Sequence, residues 1–128
     1  MTVKRHNPEG LYPKYLNYSH AVEVAAGART LHISGLNGYL EDGKTMPESF
    51  EDQCRTIWKH LLTILNSAGM DYSNLVFLRI YLADPGDRAE NTRLRKEYLG
   101  DHEPALTVVG ATLLMPAWKL EIEATAAK

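Results

Sequence analysis

Near its end the chain reads Lys-Leu-Glu-Ile-Glu, residues 119–123, and two carboxylates, Glu121 and Glu123, stand one apolar residue apart. Side chains on a strand alternate between faces, so both acids project from the same side of a sheet. Two chemistries are open to acids placed in this way. A carboxylate whose pKa is lifted by partial burial can hold and deprotonate a water; one that meets a cation, here Lys119 or Arg79, forms an ion pair. The other reactive residue types offer less. Cys54 is the single cysteine and falls on an apolar helix stripe, where it reads as a plain buried thiol. The histidines at 6, 20, 32, 60 and 102 show no paired ligand spacing, so the sequence calls for no metal and no cofactor. His20 and His32 could line a cleft but read more simply as hydrogen-bonded scaffold. No glycine-rich phosphate loop, Gly-x-Ser-x-Gly elbow or Cys/His nucleophile pair occurs.

The elements that must position these residues follow from periodicity. Tyr18 to Ala26 and Thr30 to Leu36 alternate at period two around Gly27-Ala28-Arg29 and read as a hairpin. From Ser49 the apolar residues Phe50, Cys54, Ile57, Leu61, Ile64, Leu65 and Ala68 recur at three- and four-residue spacing, one stripe of an amphipathic helix capped by Ser49 and stopped at Gly69. Asn74 to Ala83 is a strand with Val76, Leu78, Ile80 and Leu82 turned toward the helices. A second helix spans about Pro85 to Leu99 and closes at Gly100. Strands Ala105 to Leu114 and Trp118 to Ala126 end the chain. The order is ββαβαββ, one domain over 1–128, of class α+β. Both helices bury their stripes on one sheet face, which leaves His32, Ser34, Arg79, Tyr81, Glu121 and Glu123 on the other. That face is either covered by another subunit or open to solvent.

Composition narrows the function classes. Of 128 residues, 45% are hydrophobic and 23% charged, the proportions of a soluble globular domain. No stretch approaches a membrane span, and Met1 to Gly10 has no apolar core of a signal peptide, so the cytoplasm is the expected compartment. The net charge of −2, from 14 basic and 16 acidic residues, argues against nucleic acid as a partner. The one basic cluster, Arg88 to Lys96, reads as a solvated helix face.

The chain resembles the reactive intermediate deaminase (Rid, or YjgF-like) family, whose members also carry the names translation inhibitor and L-PSP endoribonuclease. The matching stretches are Tyr18-Ser19-His20-Ala21-Val22, Ile33-Ser34-Gly35, Gln53, Ala68-Gly69-Met70, Asp84, Asn91, Pro104-Ala105 and Glu121-Ile122-Glu123-Ala124. The resemblance implies a chorismate-mutase-like α+β fold, a homotrimer and a small-molecule cleft between subunits. It places Glu121 as the catalytic residue, with Tyr18, Ser34, Leu106 and Asn91 lining the pocket. One departure stands out. Members that act on 2-imino or 2-enamino acids have an arginine after the Pro-Ala pair to grip the substrate carboxylate, and here that position is Leu106. The distance in sequence from Leu106 to Glu121 matches the family, so this is a substitution. Leu36 likewise replaces the family's glutamine, and both changes make the pocket more apolar.

A fork-like arginine–carboxylate pair makes two charge-assisted hydrogen bonds, each worth roughly 1.5–3 kcal/mol. Its loss weakens capture of a simple amino-acid imine by about two orders of magnitude or more. Arg79 could supply a substitute cation from another strand. The expected activity is therefore hydrolytic deamination of an imine or enamine other than 2-aminoacrylate, with an imino or keto acid as ligand. The alternatives are a non-catalytic ligand-binding trimer and, on the family's older name alone, an endoribonuclease, against which the acidic balance speaks.

Overall fold

The computed structural model describes residues 2–14 and 17–128. The strands are β1 (Val3–His6), β2 (Ala21–Val24), β3 (Thr30–Leu36), β4 (Leu75–Leu82), β5 (Ala105–Gly110) and β6 (Leu120–Ala127), and the helices are α1 (Phe50–Ser67) and α2 (Arg88–Leu99). Four strands form one mixed sheet in the order β3-β6-β4-β5, with β4 and β5 parallel and the other pairs antiparallel. The most buried strands, β4 and β6, take the two central places. Both helices pack on one face, over a core in which Leu78, Ile80, Leu120 and Ile122 are fully buried.

The expected hairpin between the first two predicted strands does not form. Its second half, β3, pairs with β6 instead, and the shorter β2 pairs with β1, a strand the periodicity of residues 3–6 is too brief to announce. Gly27 (φ 84°) still turns the chain, and reciprocal hydrogen bonds between Arg29 and Lys128 then start the β3–β6 ladder. β5 also ends four residues early, at Gly110, where the Ala111 N–H makes the last bond of the parallel ladder to the Leu82 carbonyl.

Helix α1 begins as its sequence dictates, with the Ser49 hydroxyl accepting from the Asp52 N–H at 3.1 Å. Its buried stripe includes Cys54, whose thiol burial pushes up to about 12, and also Trp58, stacked on Tyr98 of α2 at 5.3 Å. Gln53 sits in the same stripe, fully buried. Its Nε2 donates to the Pro47 and Ala117 carbonyls at 2.8 and 3.0 Å, and its Oε1 accepts from the Lys119 N–H at 2.9 Å. One side chain thereby joins the loop entering α1 to the loop entering β6.

Two irregularities set the sheet faces. β4 shifts register against β6 between Leu75 and Phe77, an extra residue at Val76. The expected face assignment is therefore corrected at this end. Leu75 joins the core opposite Ala126, while Val76 borders the open-face groove. β3 shifts register between Ile33 and Leu36, so its extra residue falls at Ser34-Gly35.

Candidate functional site

The two acids of β6 lie on the sheet face away from the helices, as the period of two requires, since Ile122 and Ala124 between and beyond them are in the core. Their partners differ. Arg79, opposite Glu123 on β4, pairs with its Oε1, and the Tyr81 hydroxyl donates to the same oxygen at 3.2 Å. Glu121 instead accepts from Asn37 Nδ2 at 3.1 Å. Its carboxylate lies so close to the bare α-carbon of Gly35 that a methyl group there would overlap Oε2. The bulge in β3 makes this possible by bringing a glycine, and the residue two beyond it, to the acid. Arg79 is thus engaged within its own chain, on the face where the sequence suggested a substitute cation.

Ser34 and His32 are exposed and line a groove on this open face together with Arg79 and Glu123. Tyr18 and Leu106 lie elsewhere. The Ser19 N–H donates to the Pro104 carbonyl at 3.0 Å and its hydroxyl to the Glu103 carbonyl, clipping the segment after Asn17 to the start of β5. Tyr18 thereby enters the wall of a cavity of about 370 Å³ between α2 and the edge strand β5, shared with Leu82, Arg88, Arg95, Leu106 and Val108. Asn91 is wholly buried on α2, and both polar atoms of its amide lack a hydrogen-bond partner among the described residues.

The residues that the resemblance assigns to one pocket are therefore divided within a single chain. Tyr18 and Leu106 share the α2–β5 cavity, Ser34 lies in the open-face groove, and Glu121 sits against Gly35.

Sequence reasoning missed two residues. The cluster from Arg88 to Lys96 was expected to be a solvated face, and Arg93 and Lys96 are exposed, but Arg95 is buried at 4% exposure. The signal was present in the spacing. Asn91, Leu94, Arg95 and Leu99 follow helical periodicity and form the inward stripe of α2. Asn37 was also missed, because only the β3 bulge brings it to Glu121. The scaffold reading of His20 and His32 fits His20, whose Nε2 donates to the Tyr12 carbonyl at 3.0 Å, whereas His32 is exposed in the open-face groove. His60 and His102 also donate from Nε2, to the Tyr39 and Leu75 carbonyls at 2.6 and 2.7 Å.

The fold and this arrangement define a small α+β protein with one open sheet face and a cavity at the sheet edge. The family model described as Endoribonuclease L-PSP matches residues 12–128. The chain belongs to this family, that of the Rid or YjgF-like proteins. It is 33% identical over 110 residues to a 2-iminobutanoate/2-iminopropanoate deaminase of Mus musculus, covering 85% of this chain and 79% of the mouse protein. Identity is also 33% to Reactive Intermediate Deaminase A, chloroplastic, of Arabidopsis thaliana, where the match covers 85% of this chain and 57% of the plant protein. Among solved structures, a conserved Rid family protein of unknown function from Yersinia pestis superposes with a TM-score of 0.89 at 30% identity over 100% of both chains. No described helix is long and apolar enough to cross a membrane.

Proposed function

We propose that this protein hydrolyses a small imine or enamine in a cleft formed between copies of the chain. The observation that carries the proposal is the separation of its two acids. Arg79 and Tyr81 occupy Glu123, whereas Glu121 keeps a half-buried carboxylate on the open face, oriented by Asn37 and pressed against Gly35. A carboxylate held this way can fix a water and take its proton as the water adds to an imine carbon. The C=N bond becomes a tetrahedral carbinolamine. The carboxylate returns its proton to nitrogen, the C–N bond breaks with loss of ammonia, and the hydroxyl gives its proton to the same carboxylate as the carbonyl forms.

Within one chain the Tyr18–Leu106 cavity and the Glu121 carboxylate are apart. A second copy laid against the open face would complete the site, with Tyr18 and Ser34 orienting the substrate by hydrogen bonds. We take the assembly to be the trimer implied by the family resemblance, and the names of the mouse and plant relatives support the reaction class.

The test couples an amino-acid oxidase to generate imines of varied side chain in semicarbazide, which traps those not yet hydrolysed. The protein should suppress semicarbazone formation, and Glu121→Ala should not. No suppression with any imine, alongside binding of a keto acid, would leave the second reading, a ligand-binding trimer. Leu106, apolar where the relatives that act on imino acids are expected to have a cation, is the observation that favours it.

A further inference from the structure

Arg95 differs from every other cation on α2. Its Nη2 donates to Asn17 Oδ1 at 3.2 Å, its Nε has no hydrogen-bond partner, and no carboxylate pairs with it among the described residues. A guanidinium taken out of water is retained only where an anion or a full set of acceptors compensates the lost hydration, and a single amide oxygen does neither. Burial draws its pKa down, yet arginine keeps its proton under any ordinary condition. The charge therefore stands beside the 370 Å³ cavity whose wall it shares with Tyr18, Thr92 and Leu106. Asn91, one helical turn earlier on the same face, adds a buried amide that is also without a partner among the described residues. The cavity is of a size that accepts a small metabolite; the exposed Arg88 also borders it, and its other walls, Leu82, Pro85, Val108, Val109 and Gly110, are apolar.

We propose that the Arg95 guanidinium binds the carboxylate of a small organic acid in this cavity, so that helix α2 supplies the cation that strand β5 lacks at Leu106. The acid's apolar side chain then lies against Leu106 and Val108. Arg79 is excluded from this role by its pairing with Glu123 on the opposite side of the sheet. The proposal rests on the small-molecule cleft described above, but it does not require that the ligand be hydrolysed.

The experiment is calorimetric titration of the assembled protein with 2-oxobutanoate and with its neutral amide, using wild type, Arg95→Met, Arg95→Lys and Glu121→Ala. Wild type and Glu121→Ala should prefer the acid by about tenfold or more. Arg95→Met should lose roughly ten- to a hundredfold in affinity for the acid, the equivalent of one charge-assisted pair, with little change toward the amide. Arg95→Lys should recover part of the loss. Melted without ligand, Arg95→Met should be at least as stable as wild type, because an uncompensated buried charge has been removed.

Equal affinity of wild type and Arg95→Met for the acid overturns the proposal, as does failure of wild type to bind the acid at all. So does a lowered melting temperature with dissociation of the assembly, since Arg95 would then pair with an acidic residue of a second copy. Failure of the deaminase reading looks different. In that case wild type binds 2-oxobutanoate through Arg95 and hydrolyses no imine.

Discussion

The carboxylate of Glu121 rests against the α-carbon of Gly35, in a space that any larger residue would fill. Gly35→Ala should therefore push the acid away from its position beside Asn37. Displacement of a catalytic group by about 1 Å can cost on the order of a hundredfold in rate. The expected outcome is a fall of that size in kcat with the assembly intact, read in the semicarbazide assay and by light scattering. An unchanged kcat would mean that Glu121 has no part in the reaction.

If each cleft takes Tyr18 and Arg95 from one copy and Glu121 from another, an inactive variant and a weakly binding one should complement at substrate concentrations well below KM. Mixing Glu121→Ala with Arg95→Met through unfolding and refolding should restore activity to about a quarter of wild type, the chance that a cyclic interface receives two intact halves. No recovery would show that both halves of the site come from the same chain.

Leu106→Arg provides a further check. If Arg95 already holds the substrate's carboxylate, a second guanidinium from β5 should raise affinity for 2-oxobutanoate by less than about tenfold. In the Arg95→Met background the same change should gain about a hundredfold, a non-additivity expected of two groups serving one ligand atom set. Equal gains in both backgrounds would place the acid away from Arg95.

Gln53→Ala should be the most destabilising of these changes. It removes three hydrogen bonds to the backbone of Pro47, Ala117 and Lys119 and leaves a buried gap. At roughly 1 kcal/mol per bond, with more for groups left unsatisfied, the loss is about 3–4 kcal/mol. Urea unfolding measures it.

Alkaline pH should weaken the fold. Burial raises the Cys54 thiol from 9.0 to about 12 and the Tyr72 phenol from 10.0 to about 12. Both groups are thus neutral in the folded chain over a range where the unfolded chain ionises them. Their contribution is fully present below pH 9 and is lost as the pH rises from about 9 to about 12. Melting temperature against pH should fall across this interval, less steeply in Cys54→Ala.

Much of the architecture was legible in local pattern. The stripe from Phe50 to Leu65 specified α1, and Ser49 and Gly69 marked its ends. The alternation of Glu121, Ile122, Glu123 and Ala124 specified which side of β6 carries acid. Pairing was less legible. Which strand β3 joins depends on contacts between residues about ninety positions apart, and nothing near Gly27 distinguishes a hairpin from a turn between two sheets.

The sequence by itself determined the α+β class, the family resemblance, the shared face of the two acids and the loss of a cation at Leu106, because each is a property of residue type and short-range period. Only the tertiary structure decided that Arg79 belongs to Glu123, that Asn37 and Gly35 belong to Glu121, and that Arg95 is buried beside the cavity of Tyr18 and Leu106. A charge in a helical run looks solvated until packing shows which way that helix face turns. The cost of burying it depends on what the rest of the chain brings within reach.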